Sequence, residues 1–117
     1  ASQTVERIID ACPLEGQNQL RSQISTVLKG VITQQLVPLM NGTGRAIATE
    51  VMIMNPAICN LIRENKAVQI NSQIQSGKKD GMHTLNDSLA DLVHKHKISR
   101  EDALNVSNNP TNLESMI

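Results

Sequence analysis

The chain has 117 residues, with eleven basic and eleven acidic side chains, zero formal net charge and no Phe, Tyr or Trp. That balance gives no broad electrostatic footprint for DNA, RNA or an anionic membrane, and the missing aromatics remove the stacking platforms that single-stranded nucleic acid usually needs. The length fits one small domain or a piece of a larger one. Its core must come from Leu, Ile, Val and five Met, which favours covering part of the apolar surface with another chain or domain.

In chain order, Val5, Ile8, Ile9 and Cys12 fall at i, i+3, i+4, i+7, with Glu6, Arg7 and Asp10 opposite. This predicts an amphipathic helix over 3–12, stopped by Pro13. It begins almost at residue 1 with little to cap it, as expected where chain has been cut away upstream. Leu20, Ile24, Val27 and Leu28 repeat the pattern over 17–29. Gly30 is expected to end that second helix, with Lys29 suited to the negative end of its dipole.

The period then changes. Val31–Val37 and Arg45–Met54 are rich in β-branched residues, and Asn41, Gly42 and Gly44 lie between them. An antiparallel hairpin over 31–54 with a loop longer than two residues is predicted. Ile47, Thr49, Val51 and Ile53 share one face of the second strand. Ala46, Ala48, Glu50, Met52 and Met54 share the other, so the strand's end is expected to be buried between layers.

Residues 55–65 read as a short helix. Asn55 can accept from a free N–H of the first turn, Pro56 loses nothing at N1, and Ile58, Leu61 and Ile62 make one apolar stripe. Asn60, Arg63 and Glu64 lie off it. One or two helical turns are expected over 67–75, from Val68, Ile70 and Ile74. A polar turn follows over 76–81, then a longer helix over 82–95 with Met82 at its start and Leu85, Leu89, Leu92 and Val93 on one face. Ser99–Asp102 resembles a capping box with Asp in the Glu position and opens a short helix. Asn108-Asn-Pro110 breaks it before a last turn at Leu113.

No constellation here supports catalysis or metal binding. Gly77-Lys78 fails as a phosphate-binding loop, because Ser72 and Lys79 stand where glycine and Ser or Thr are required. Gly42-Thr-Gly44 reads as a hairpin turn. His94 and His96, at i and i+2, would point to different sides of a helix and chelate poorly. His83 lacks a recognisable nucleophile and orienting group, and no serine sits in a G-x-S-x-G elbow. Lys78-Lys79 and His94–Lys97 read as solvated segment ends. Cys12 and Cys59 have no Cys-x-x-Cys partner, which excludes a zinc ribbon or redox motif on spacing. Reduced buried thiols are the default, and a disulfide stays open. No apolar run is long enough to span a membrane, and the N-terminus lacks signal-peptide character. A cytoplasmic protein follows, in which the Asn-x-Ser/Thr triplets at Asn41, Asn86 and Asn105 are chance sequons.

The octet Ala57-Ile58-Cys59-Asn60-Leu61-Ile62-Arg63-Glu64 resembles the AIRNLIRE signature of the PilT-type twitching motility ATPases, the retraction motors of type IV pili. Seven of the eight positions match, with Cys59 where the signature has Arg. Thr4–Asp10, Val31–Pro38, Gly81–Leu92 and Ile98–Ala103 resemble the family in order and spacing. The resemblance implies an α/β, mostly helical fragment: the C-terminal part of a RecA-like ATPase domain with one antiparallel β-hairpin. Residues 1–54 would close the RecA-like core, and 55–117 would form a distal helical subdomain carrying the signature helix 55–65.

It further implies a homo-hexameric motor at the inner membrane. The motor would be cytoplasmic and peripheral, engage the pilus machinery, and neither bind nucleic acid nor insert into the membrane. ATP and Mg would be held by segments lying upstream of this chain, which alone should bind neither and be inactive. Asn60, Arg63 and Glu64 become candidates for transmitting motion. Where the family's Arg makes a charge contact, a thiol at Cys59 could not replace it. A pilus assembly or type II secretion ATPase is the nearest alternative, although those relatives commonly carry a four-cysteine zinc insertion. A free-standing helical adaptor is the other.

Overall fold

A computed structural model describes residues 1–117. It holds seven α-helices and one two-stranded hairpin: α1 Ser2–Asp10, α2 Gln17–Val27, β1 Gly30–Pro38, β2 Arg45–Ile53, α3 Pro56–Arg63, α4 Ile70–Ser76, α5 Leu85–His94, α6 Arg100–Val106 and α7 Pro110–Met116. The mostly helical character and the antiparallel hairpin agree with the sequence expectation. The chain divides into two compact units, residues 1–32 with 51–82, and residues 33–50 with 83–117.

The first unit closes on Val5, Ile9, Ile24, Met52, Ile58, Ile62, Ala67, Ile70, Ile74 and Met82. Helices α1, α2, α3 and α4 each contribute one face, as their spacing predicts. The stripes are narrower than the pattern suggested, since Ile8, Val27 and Val68 stay exposed. Helix α2 ends at Val27 and its C-cap Leu28 is already extended, two residues before Gly30. Gly30 instead opens β1, and it is there because a Cβ at this point would lie 2.8 Å from the Met52 carbonyl oxygen. Backbone crowding of that kind cannot be relieved by a rotamer change. Lys29 lies just beyond the helix, and its carbonyl accepts the Met54 N–H at 3.0 Å.

The second unit closes on Val37, Ala48, Leu85, Leu89, Ala90, Ile98, Ala103 and Leu113. Helix α5 begins at Leu85, three residues later than predicted. Thr84 is its N-cap, accepting from the Asp87 N–H at 3.1 Å while an Asp87 carboxylate oxygen accepts from the Thr84 N–H at 3.0 Å. This reciprocal capping box fixes the entry of the chain into the helix. Ser99 caps α6 through the Asp102 N–H. Asn109 and Pro110 start α7 rather than merely ending α6, with Asn109 accepting from the Asn112 N–H and Pro110 in the first turn. What reads as a stop signal is equally a start signal.

Strand β2 departs from its expected burial. Ala48, Glu50 and Met52 face inward, whereas Ile47 and Ile53 are exposed. One face is covered, not two. The alternation that places Glu50 inward turns the β-branched residues of the other face outward.

Candidate functional site

The candidate site is helix α3. Asn55 accepts from the Ile58 N–H at 2.8 Å through its Oδ1 and Pro56 occupies the first turn, as the sequence predicts. Such a cap contributes about 1 kcal/mol. Ile58 and Ile62 are fully buried in the core of the first unit. Each burial contributes about 2 kcal/mol or more, which fixes the helix's rotation about its own axis. Leu61 is half-buried beside them.

That rotation sets what the remaining residues can do. Asn60, Arg63 and Glu64 are exposed, while Ala57 lies exposed in the first turn. The Arg63 guanidinium donates to Asn60 Oδ1 at 3.2 Å, one turn back. The Lys66 ammonium stands 3.6 Å from a Glu64 carboxylate oxygen, both groups more than half exposed. At that exposure the pair contributes little stability. The three polar side chains thus form a solvated surface on a rigidly docked helix.

The helix end is sharply defined. Asn65 takes a left-handed conformation with φ 60°. Its N–H donates to the Ile62 carbonyl at 3.2 Å, and the Lys66 N–H donates to the Leu61 carbonyl at 2.7 Å. This is a Schellman motif with asparagine in the left-handed position. It stops the helix directly after Arg63 and Glu64 and holds the direction of both residues.

Cys59 belongs to a different surface. It is half-buried, and its thiol donates to the Ser25 carbonyl of α2 at 3.0 Å. The position at which this chain departs from the AIRNLIRE pattern therefore faces α2 and lies apart from the Asn60–Arg63–Glu64 surface. Cys12 lies at the other end of α2, where a Cβ on Gly16 would be 3.1 Å from its sulfur. Nine residues of helix separate those points, roughly 13 Å at the helical rise, beyond the reach of a disulfide. Both cysteines are free, which resolves the alternative left open by the sequence.

The remaining sequence candidates are not brought together. Gly77 ends α4 and Lys78 lies in a 3-10 turn, so the Gly-Lys pair does not open a helix in the way a phosphate loop does. His94 is the last residue of α5, and His96 is its left-handed C′ residue with φ 58°. The His96 N–H reaches the Val93 carbonyl and the Lys97 N–H the Leu92 carbonyl, each at 3.0 Å. His96 is thus a backbone device, a second Schellman motif with an unusual residue. No group of three His, Cys, Asp or Glu gathers at metal-binding distance.

Two polar clusters escaped sequence reasoning, because their partners are 21 to 39 residues apart. His83 Nε2 lies 2.8 Å from the Thr49 hydroxyl, and the Thr49 N–H donates to the Ser88 hydroxyl. Together these bonds fasten the outer edge of β2 to the entry of α5. The buried Asn86 side chain donates to the Asn109 carbonyl and to Asn112 Oδ1, and it accepts from the Ser107 hydroxyl. That cluster ties α5 to the turn between α6 and α7. An Asn pointing inward from an apolar helix face was the one available signal.

No protein-family profile matches the chain. It is 45% identical over 103 residues to a twitching motility protein of Neisseria gonorrhoeae, covering 88% of this chain and 28% of the relative. It is also 45% identical over 112 residues to the type IV pilus retraction ATPase PilT of Pseudomonas aeruginosa, covering 96% of this chain and 32% of the relative. A crystal structure of the pilus retraction motor PilT with bound ADP superposes with a TM-score of 0.85 at 42% identity, over 98% of this chain and 32% of that one. The chain thus spans about a third of the length of the proteins it matches. Its fold is that of the C-terminal part of the ATPase domain of PilT. Over the segment it spans, the chain is similar throughout to the C-terminal part of the PilT-type twitching motility proteins.

Proposed function

We propose that this chain is the C-terminal part of a type IV pilus retraction ATPase, and that helix α3 passes motion from ATP hydrolysis to its surroundings. The observation that carries this reading is the 45% identity to two proteins named for twitching motility and pilus retraction. The geometry of the octet supports the role of α3. Its apolar residues lock it to the first unit, and Asn60, Arg63 and Glu64 project from it as a preset surface. A helix that cannot rotate about its own axis transmits a displacement instead of absorbing it.

In this reading the whole protein is a RecA-like homo-hexamer. It is cytoplasmic and peripheral to the inner membrane. No helix of this chain is long and apolar enough to cross a membrane. ATP and Mg belong to the rest of the protein. In this chain the one Gly-Lys pair lies at a helix C-terminus, unlike a phosphate-binding loop, which precedes a helix. The 45% identity to proteins named for twitching motility and pilus retraction favours this reading over a pilus assembly or type II secretion ATPase.

The test replaces Arg63 and Glu64 together with Ala in the full-length protein. Both are exposed, so stability should change by no more than about 0.5 kcal/mol. ATPase activity should persist while pilus retraction, followed by microscopy, is lost. Unchanged retraction removes α3 from the transmission path. Absence of ATPase activity in the parent protein removes the motor reading itself.

A further inference from the structure

We infer that Asn41 is a site of spontaneous modification, at which the hairpin tip converts from asparagine to aspartate or isoaspartate through a cyclic imide. Asn41-Gly42 is the one Asn-Gly pair in the chain. It lies at the exposed turn between β1 and β2. Three observations equip it for the reaction. Gly42 has open space around it, because a Cβ there would meet nothing within 4 Å, and its φ of +81° is a conformation that suits glycine. The Gly42 nitrogen therefore carries no neighbouring side chain to hinder its approach to the Asn41 amide carbon one residue earlier, and proximity supplies much of the driving force of such ring closures.

The third observation concerns the electrophile. Asn41 Oδ1 accepts two hydrogen bonds, from the Thr43 N–H at 3.0 Å and the Thr43 hydroxyl at 3.1 Å. When the Gly42 nitrogen attacks Cγ, negative charge develops on this oxygen. Two donors aimed at it act as a small oxyanion hole. One contact opposes the reaction, the Gly42 N–H donating to the Leu39 carbonyl at 3.1 Å. The nitrogen must leave that bond and give its proton to hydroxide before it can attack. The step is accordingly faster at mildly alkaline pH.

The chemistry balances with water as the co-reactant. A bond forms between the Gly42 nitrogen and Asn41 Cγ. The Cγ–Nδ2 bond breaks, and the nitrogen leaves as ammonia after taking a proton from water. Water then opens the ring at Cγ to give aspartate, or at the backbone carbonyl to give isoaspartate with the chain rerouted through the side chain. Nothing is oxidised or reduced. A neutral amide becomes a carboxylate, so the chain's net charge falls from zero to −1.

Asn71 and Asn105 provide internal comparisons. Each lies within a helix and is followed by a residue with a Cβ, Ser72 and Val106. Incubation of the full chain at mildly alkaline pH, followed by proteolysis and tandem mass spectrometry, should show the amide-to-acid mass gain first at Asn41, with ammonia released in step. Thr43→Val keeps one donor and removes the other, so it should slow conversion at Asn41 about fivefold, the factor expected for one ordinary net hydrogen bond. An Asn41 that stays intact while Asn71 or Asn105 converts overturns the inference. An unchanged rate in Thr43→Val overturns the part assigned to the Thr43 donors.

Discussion

At the scale of single residues, His96 shows how position overrides chemistry. In the sequence it stands beside His94 as half of a possible metal pair. In the structure it holds a left-handed turn at the end of α5, with φ 58°. That conformation costs a non-glycine residue about 1–2 kcal/mol, and glycine avoids this at the expense of a more flexible unfolded chain. His96→Gly should therefore raise stability by about 0.5–1 kcal/mol. Thermal melts followed by far-ultraviolet circular dichroism would read it, since the chain has no aromatic side chain to report on unfolding. Cys12 and Cys59 give a second prediction. Both should react with a thiol reagent in unfolded protein without prior reduction, and the mass should be the same under reducing and non-reducing conditions, because opposite ends of α2 keep the two sulfurs apart.

At the scale of elements, the caps decide more than the apolar patterns. Thr84→Ala removes one arm of the box that starts α5 and should cost about 1 kcal/mol. Asn86→Leu should cost more, about 2–3 kcal/mol, because it leaves the Asn109 carbonyl, Asn112 and Ser107 without their shared partner. Denaturant titration of the two variants would rank them. Both strands and the signature helix could be placed from the sequence because their signals are local: β-branched runs, Asn55-Pro56, and Ile58 with Leu61 and Ile62. The exact start of α5 and the existence of α7 as a helix were harder. Thr84 and Asp87 compete with Met82 for the helix start, and Asn109-Pro110 ends one helix while beginning the next. The His83–Thr49–Ser88 and Asn86 clusters could not be read at all, since nothing within a short window reports which distant residues will meet. The outward turn of Ile47 and Ile53 was missed for a related reason. Alternation shows that a strand has two faces but not which one is covered.

At the scale of the whole molecule, the missing aromatics leave two aliphatic cores of ten and eight buried residues. Ile58→Ala in the first or Leu89→Ala in the second should each cost about 2–5 kcal/mol, a large share of the roughly 5–15 kcal/mol available to a typical domain. Hydrogen exchange should locate each loss, with Ile58→Ala deprotecting the amides of α1 to α4 and Leu89→Ala those of α5 to α7. Faster exchange spread evenly over the chain in both variants would contradict the assignment of two cores. Neither unit is contiguous, since the hairpin carries the chain out of the first after residue 32 and back into it at residue 51. During synthesis from the N-terminus, the first unit can be completed once residue 82 has emerged. The hairpin tip, made long before, must wait for residues 83–117 before its own core can close. Over that interval Val37 and Ala48 are without the helices that later bury them, so slow or interrupted translation beyond residue 82 should expose a sticky hairpin tip on an otherwise folded nascent chain.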